Sequence, residues 1–531
     1  MHYIFRAMSH RLLQRIRAFG AISVTFFAIS AVPAAADPTL TLISPVAGID
    51  MPSSPARAED VLSRLRQGFE LTYEDNHRTA AELKWFAKHP EYLNRVFTRA
   101  QRYLPYILAE LERRDLPLEL ALLPIVESAY DPFAYSHGRA AGLWQMIPGT
   151  ARRFGIKQNW WYDGRRDVVD STRAALDYLE YHEELNDGNW LNAIASYNSG
   201  EGNVLRAARK NRKAGKPIDF WYLKLPKETS MYVPKLLALV EIVADPDKYN
   251  LTLPEVPNEQ QFVITEIDTQ LDLALAAELA GVNVDTIYQY NPGYNRWSTD
   301  PAGPHRLVMP VEVADQFVAA LEQVPTRERV RWQRHKVKNG EAISQIAEKY
   351  NTTVSALRAA NNMRGNTIRA GHYLMIPVAT KPLSAYSQSA DARLAKTQNR
   401  KRSGNKVEHI VRNGESFWTI SRKYGVTHRS LAKWNGMAPG DTLSVGKKLV
   451  VWTNGAVAQV EQPRTSPTDA LGNTTRKLRY TVRNGDSLYL IARRFRVGID
   501  QIARWNSIDR NKILRPGQKL TMYVDVTAQS S

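Results

Sequence analysis

One carboxylate closes the apolar run Leu120-Ala-Leu-Leu-Pro-Ile-Val-Glu127-Ser-Ala-Tyr130. The apolar residues between Leu118 and Val126 predict a buried helix, after which the chain turns into a polar loop. A carboxyl group at the rim of an apolar helix is partly desolvated, so we expect its pKa to rise toward the range of a general acid. Most glutamates at helix ends are simply solvated, however, and position alone assigns no chemistry to Glu127.

Several further segments accompany this glutamate in a fixed order. They are Pro132 and Ser136, Gly142-Leu-Trp-Gln145, Pro148, Thr150-Ala151, Trp160-Trp-Tyr-Asp163, Arg165-Arg-Asp-Val168, Tyr197-Asn198 with Gly200, and Tyr232-Val-Pro234-Lys235. The ordered set resembles the bacterial lytic transglycosylase (SLT) domain over residues 93–249. That resemblance implies a goose-type, lysozyme-like fold made of helices. Together with the C-terminal repeats, it extends to the lytic murein transglycosylase D family.

The resemblance implies an acid–base role for Glu127. It would protonate the leaving oxygen of the MurNAc-GlcNAc β-1,4 bond and then accept the proton of the muramic C6 hydroxyl. That hydroxyl attacks its own C1 and leaves a 1,6-anhydro ring, so no second enzymic carboxylate is required. The resemblance also implies a set of substrate-binding residues: Ser128, Ser136, Gln145, Tyr197 and Asn198. Two of them have a structural alternative, since Ser128 suits a helix end and Asn198 suits a packing role.

Three other functions remain open at this point. A muramidase would hydrolyse the bond with a second carboxylate, for which Asp131, Asp163, Asp167 and Glu201 are candidates, although capping and salt bridges suit all four. A non-catalytic wall-binding protein would have no use for Glu127. A nucleic-acid-binding role would explain the net charge of +18. The export pattern and the repeats favour an anionic cell wall, so we expect peptidoglycan and no nucleic acid as partner.

Composition excludes several kinds of chemistry. The 531 residues predict three or four domains, and the 44% apolar fraction is ordinary for globular protein. There is no cysteine, which excludes disulfides, thiolate catalysis, cysteine-based zinc sites and a lipid-modified cysteine. His182-Glu183 lacks a second histidine at metal-binding spacing and His137 is isolated, so we expect neither a metal nor a cofactor.

Residues 1–36 have the pattern of an export signal. Arginines precede an apolar run from Ala18 to Val32, and a small-residue cleavage site at residues 34–36 leaves Asp37 as the mature start. The run is shorter than the roughly 20 residues of a spanning helix, so we predict cleavage and no integral membrane anchor. We expect an exported, periplasmic, peptidoglycan-associated protein that is not a lipoprotein, because it lacks the cysteine that lipid attachment requires.

The C-terminal third contains three copies of one opening. They are His335-Lys-Val-Lys-Asn-Gly340-Glu, His409-Ile-Val-Arg-Asn-Gly414-Glu and Tyr480-Thr-Val-Arg-Asn-Gly485-Asp. An asparagine follows each glycine at the same interval. Strand, two short helices and strand in each copy resemble the LysM domain, which binds glycans that contain N-acetylglucosamine. The resemblance implies glycan contacts around Gly340, Asn361, Gly414, Asn435, Gly485 and Asn506.

These observations predict a mainly α fold, with a lysozyme-like catalytic domain followed by small α/β (βααβ) LysM modules. The predicted order is a signal at 1–36, a helical or flexible lead-in at 37–92, the catalytic domain at 93–250, a degenerate LysM-like module at 260–314, and LysM modules at 334–378, 408–452 and 479–524. Polar segments at 379–407 and 453–478 are predicted to be flexible linkers. Core packing is the expected role of Trp144, Trp160 and Trp161, with sugar stacking as the alternative.

Overall fold

A computed structural model describes residues 60–453 apart from 73–74, and residues 475–525 apart from 483–485, 496, 498, 507, 510–513 and 515–516. The predicted signal at 1–36, most of the linker at 453–478, and Gly485 lie outside the described residues. The chain divides into two compact units, residues 1–454 and 455–531.

The region predicted to be catalytic, between residues 60 and 250, is built from helices and is called the catalytic region below. The α-helices are α1 (Val61–Gln67), α2 (His77–Ala87), α3 (Pro90–Ala100), α4 (Leu104–Arg113), α5 (Leu123–Ser128), α6 (Pro148–Arg153), α7 (Val168–Leu185), α8 (Trp190–Ser199), α9 (Glu201–Lys213) and α10 (Lys227–Ala244). A 3₁₀ turn, Leu118–Leu122, leads directly into α5. The predicted mainly α fold class is confirmed by this architecture.

The catalytic core begins earlier in the chain than predicted. Val61 and Leu65 of α1 and Phe86 of α2 are fully buried in the same apolar cluster as Leu122 and Leu123. Helices α1 and α2 therefore pack into the catalytic core, although they precede residue 93, where the catalytic domain was predicted to begin. The polar residues that separate the apolar ones in α1 and α2 obscured this packing in the sequence.

The next module packs directly on the catalytic region. Strands β1 (Phe262–Glu266) and β2 (Arg306–Pro310) are antiparallel, and α11 (Leu273–Leu279), α12 (Val284–Tyr290) and α13 (Val311–Glu322) accompany them. Asn295 donates its backbone N–H to the Trp161 carbonyl over 2.7 Å, and the Trp161 and Tyr162 rings lie in the core of this module. The two parts are joined by buried contacts rather than by a free tether.

The three tryptophans have packing roles, as expected. Trp144 is fully buried, and its indole Nε1 donates to the Thr172 hydroxyl over 3.0 Å. The Arg296 guanidinium lies 4.0 Å from the centre of the Trp160 ring. A sugar would have to displace these neighbours to stack on either ring.

Three small modules follow, each with an antiparallel strand pair and two helices. They comprise β3 (Arg331–Lys336), α14 (Ile343–Lys349), α15 (Val354–Ala360) and β4 (Tyr373–Val378); β5 (Asn405–Ile410), α17 (Phe417–Lys423), α18 (His428–Trp434) and β6 (Lys448–Thr453); and β7 (Thr475–Thr481), α19 (Leu488–Phe495), α20 (Ile499–Asn506) and β8 (Lys519–Asp525). Each has its own apolar cluster. The predicted βααβ modules are confirmed.

The repeated asparagine of these modules has a structural role. Asn435 is buried, its Oδ1 accepts the Val450 N–H over 2.7 Å, and its Nδ2 donates to the Val450 carbonyl over 2.8 Å. Asn361 and Asn506 form the same pair of bonds to their second strands. The three carboxamides therefore hold helix and strand together, and the predicted glycan contact around them stays a prediction.

The repeated glycine lies in a turn that requires its conformation. Gly340 and Gly414 have φ of 76° and 77°, and the space where a side chain would start is open. A carboxylate closes each turn, since Glu341 accepts the Lys338 N–H and Glu415 accepts the Arg412 N–H. The backbone of these turns is exposed, and its contact with glycan stays a prediction.

The segment at 379–407 is folded, contrary to the prediction of a flexible linker. It contains α16 (Ala390–Asn399). Tyr386 is fully buried, and its hydroxyl lies 2.9 and 3.0 Å from the two carboxylate oxygens of Asp272. Arg393 lies 4.6 Å from the centre of the Phe133 ring in the catalytic region. A few anchoring side chains thus fix a segment whose overall composition is polar.

Candidate active site

A cleft with a volume of about 1080 Å³ crosses the catalytic region. Most of its lining comes from the end of α5, the loop between α5 and α6, the junction of α8 and α9, and the first half of α10, and Thr150 of α6 and Tyr178 of α7 complete it. We call residues 131–147 the active-site loop. The motifs that are far apart in the sequence meet in this cleft, as the resemblance implies.

Glu127 lies in the last turn of α5 and faces the cleft. The helix ends there because Ala129 and Tyr130 adopt left-handed conformations, with φ of 52° and 55°. Burial raises the pKa of Glu127 to about 7, and nearby Glu228 adds to the rise. The Tyr232 hydroxyl opposes it by donating a hydrogen bond to Glu127 Oε1 over 2.5 Å. The carboxyl is therefore set to exchange a proton near neutral pH.

Ser128 supports the site from outside the cleft. Its hydroxyl lies 3.1 Å from the Pro124 carbonyl and 2.9 Å from the Leu143 carbonyl, which connects α5 to the active-site loop. It is absent from the residues that line the cleft. These bonds fit the structural alternative, and the predicted substrate contact of Ser128 stays a prediction.

Ser136 and Gln145 line the cleft on the active-site loop. The Ser136 hydroxyl oxygen accepts the N–H groups of Gly138 and Ala140 over 3.2 and 3.0 Å. The Gln145 Nε2 donates to the Gly142 carbonyl over 2.8 Å. Within the described residues, the Ser136 hydroxyl hydrogen and the Gln145 Oε1 have no partner, so a donor and an acceptor remain for a ligand.

Tyr197 and Asn198 line the opposite wall. The Tyr197 hydroxyl donates to the Trp144 carbonyl over 2.7 Å, which fixes the active-site loop against α8. The Asn198 Oδ1 accepts from the Thr229 hydroxyl over 2.9 Å, which joins α8 to α10. Each residue thus combines a structural bond with a position at the cleft, and sugar contact by either stays a proposal.

The four carboxylates considered for hydrolysis are engaged elsewhere. Asp163 and Arg165 form a buried ion pair of 2.8 Å. Asp167 caps α7 and pairs with Arg306 over 2.9 Å. Asp131 accepts the Phe133 N–H, and Glu201 lies 3.7 Å from Arg153. None of these carboxylates is among the residues that line the cleft.

Five cleft residues on α10 were assigned no role from the sequence, and Glu228, Tyr232 and Lys235 are three of them. Their spacing of four and then three residues places them on one face of a helix, which was the signal available in the sequence. Tyr232 and Lys235 were quoted only as part of the resemblance. Glu228 is exposed, and in the described part of the chain it is the one carboxylate besides Glu127 that lines this cleft.

The active-site loop also contacts the second LysM module. Arg139 Nε lies 2.6 Å from Asp441 Oδ1, and the Tyr135 hydroxyl lies 3.3 Å from the other Asp441 oxygen. Arg139 also donates to the Gly440 carbonyl. The active-site loop and this module are therefore in direct contact.

The described residues contain no group of three or more histidine, cysteine, aspartate or glutamate side chains able to hold a metal ion. His182, considered above for metal binding, is fully buried beside Tyr178. No helix in the described ranges is both long and apolar enough to cross a membrane.

The chain is 33% identical over 450 residues to the membrane-bound lytic murein transglycosylase D of Escherichia coli strain K12, a match that covers 85% of this chain and 82% of that protein. The chain belongs to the lytic murein transglycosylase D family. The transglycosylase SLT domain matches residues 105–220, which contain Glu127 and most of the cleft. The chain is thus a peptidoglycan lytic transglycosylase, and the predicted class of enzyme is confirmed.

The other matches concern parts of the chain. Residues 261–326 match the LysM-like domain of lytic transglycosylase MltD, and residues 335–377, 409–452 and 480–522 match the LysM domain. An autolysin of Enterococcus faecalis is 29% identical over 190 residues, or 35% of this chain and 24% of that one. The 70 kDa soluble lytic transglycosylase of Escherichia coli is 18% identical, with a TM-score of 0.25, over 34% of this chain and 31% of that one. The LysM matches and the transglycosylase D family membership indicate that this chain binds peptidoglycan.

Proposed function

We propose that the cleft cleaves the MurNAc-GlcNAc β-1,4 bond without water and leaves 1,6-anhydro-muramic ends. The observation that carries the proposal is a single carboxyl group, Glu127, whose pKa is raised to about 7 at the wall of the cleft. A group with that pKa holds a proton often enough to give one and loses it often enough to take one back.

The reaction balances with this one group. Protonated Glu127 gives its proton to the leaving glycosidic oxygen as the C1–oxygen bond breaks. The resulting carboxylate takes the proton of the C6 hydroxyl while that oxygen bonds to C1, which closes the anhydro ring. Glu127 is protonated again at the end, and no water is consumed. The nucleophile belongs to the substrate and already lies near C1, so its effective concentration is high.

Tyr232 stabilises the carboxylate form between the two proton transfers. Its hydroxyl donates to Glu127 Oε1 over 2.5 Å, and this bond lowers the pKa of Glu127 against the effect of burial. A hydrogen bond to a charged group is worth roughly 1.5–3 kcal/mol. Tyr232 is therefore proposed to position Glu127 and to adjust its acidity.

Removing the Tyr232 hydroxyl is expected to change the pH dependence of turnover. In Y232F, the pKa of Glu127 rises because the carboxylate loses a donor, so the alkaline limb of the kcat profile moves to higher pH. The value of kcat at the optimum falls by about ten- to a hundredfold. Turnover of soluble glycan strands between pH 4 and pH 9 would measure both changes. Y222F, at an exposed tyrosine outside the cleft, is the control; an unmoved limb in Y232F would contradict the assignment.

Hydrolysis by a second carboxylate is the competing mechanism. Within the described chain, Glu228 is the candidate that the cleft offers, although it is exposed and lies in the first turn of α10. Mass spectrometry of products released from purified sacculi separates the two reactions. We expect muropeptides one water lighter than the hydrolysed form, both from the wild type and from E228Q. Reducing muramic ends from the wild type, lost in E228Q, would establish a muramidase instead.

The LysM modules are proposed to hold the enzyme on the glycan. Several weak sites on one chain raise the local concentration of substrate around the cleft. The exposed turns at Gly340 and Gly414 are proposed as contact points, and Gly485 occupies the same place in the third opening. Export to the periplasm is proposed from residues 1–36.

A further inference from the structure

We propose that the Lys235 ammonium binds a carboxylate on the muramic acid substituent of the substrate, which makes it a specificity residue. This inference rests on the proposed function of the cleft and goes beyond it, because the cleavage chemistry itself needs no cation. The carboxylate has two sources: the free lactyl group of a strand without peptides, or the peptide stem that otherwise occupies the lactyl group.

The position of Lys235 follows from the helix that carries it. Tyr232 points its hydroxyl at Glu127, and Lys235 lies one turn further along α10, on the same face. Both residues line the cleft. The lysine is therefore held within about one helical turn, or roughly 5 Å along the helix axis, of the residue that contacts the acid.

Lys235 is a half-buried cation without a counter-ion. No ion pair or hydrogen bond of its ammonium is found in the described part of the chain, whereas the more buried Arg165 and Arg306 elsewhere in the fold pair with Asp163 and Asp167. A partly desolvated charge that lacks a partner is unfavourable, and an incoming anion would offset that cost. Lys227 also lines the cleft but is exposed, so it gains less from an anion.

The chemistry of the substrate identifies the anion. The sugar rings and N-acetyl groups of the glycan are uncharged, so a cation in the cleft can distinguish only the substituents. Muramic acid carries a lactyl ether that ends in a carboxylate or in an amide to a peptide, and the peptide itself ends in a carboxylate. A carboxylate is the group that an ammonium binds most strongly in such a strand.

Lys235 does not act through the acidity of Glu127. The groups that shift the pKa of Glu127 are its burial, Tyr232 and Glu228, and Lys235 is not among them. Replacing the lysine should therefore change KM and leave the pH limbs of kcat in place. A purely structural lysine would affect all substrates equally.

The test compares K235M with the wild type on short soluble strands of three kinds: with peptide stems, with the stems removed by an amidase, and with the free lactyl carboxylate converted to an amide. Short strands limit the contribution of the LysM modules. K235R should restore most of the binding because it keeps the charge. K216M, at an exposed lysine outside the cleft, is the matched control.

We expect K235M to raise KM by about tenfold on a carboxylate-bearing strand, with kcat within about twofold. An effect on stem-bearing strands alone identifies the peptide carboxylate as the ligand. An effect that persists after amidase treatment and disappears on the amidated strand identifies the lactyl carboxylate. Equal loss on all three substrates, or no loss on any, would overturn the proposal. All of these results are read from cleavage rates, whatever the ends of the products are. The presence of anhydro ends tests the proposed function separately.

Discussion

Replacing Glu127 by glutamine is expected to reduce release of soluble muropeptides by at least about a thousandfold. Glutamine fills the same space and can still accept the Tyr232 hydrogen bond, but it has no acidic proton to give to the leaving oxygen. The first half of the reaction is lost, and the second half never begins. The loss would be measured as a slower decrease in the turbidity of a sacculus suspension, together with chromatography of the soluble products.

Binding should survive this substitution, because the LysM modules have their own cores and are untouched. Co-sedimentation of E127Q with sacculi is therefore expected to match the wild type. E184Q, at an exposed glutamate of α7, is the matched control and should keep full turnover. If E127Q still dissolves sacculi, another group must protonate the leaving oxygen.

The same substitution should change stability in a pH-dependent way. The pKa of Glu127 in the folded chain is about 7, above the ordinary value of 4.5. Between these two pH values the folded state therefore holds a proton on Glu127 that the unfolded state has lost. The stability from this proton is present below pH 4.5 and is lost as the pH rises to 7. E127Q has no such loss, so at pH 8 its free energy of unfolding should exceed that of the wild type by up to about 3 kcal/mol. Denaturation at pH 5 and pH 8 would measure the difference.

Replacing Gly142 by alanine is expected to damage both stability and turnover. Gly142 has φ of 80°, and a Cβ atom there would lie 1.8 Å from the Arg165 carbonyl oxygen. That carbonyl belongs to a residue whose side chain is buried in an ion pair with Asp163, so it cannot move aside easily. We expect a loss of at least about 3 kcal/mol in the free energy of unfolding, from backbone strain together with the clash.

Turnover should fall even where the variant remains folded. Gly142 precedes Gln145 by one turn of the active-site loop, and a shift of about 1 Å in a positioned group can reduce rate about a hundredfold. G149A is the matched control, since Gly149 has open space around it and lies in the first turn of α6. Thermal unfolding and muropeptide release should separate the two variants. Equal behaviour would show that the loop tolerates the displacement.

The sequence motifs were sufficient to single out four residues that line one cleft: Glu127, Ser136, Gln145 and Tyr197. These residues lie in compact motifs, where the order of residue types is itself the evidence. It was not sufficient for Tyr232, because its contact with Glu127 joins residues 105 positions apart. A hydrogen bond over that separation depends on how α5 and α10 pack, which no local pattern encodes.

Two other differences have a similar physical origin. The interval between glycine and asparagine marked the LysM repeats correctly, yet it could not tell a ligand contact from the bond that Asn435 makes to its own second strand. The polar composition of residues 379–407 predicted flexibility, while a single buried tyrosine, Tyr386, anchors the segment through Asp272. Average composition describes a segment, but one well-placed side chain can decide whether it folds.

The contact between Arg139 and Asp441 has a consequence for distance. With residues 379–407 folded and this ion pair formed, the second LysM module stands at a set separation from Glu127. A glycan strand that is bound by this module and also occupies the cleft would then be cleaved at a fixed distance from the point where it is bound. The number of sugar units between the bound position and the cleaved bond would be set by the structure of the enzyme.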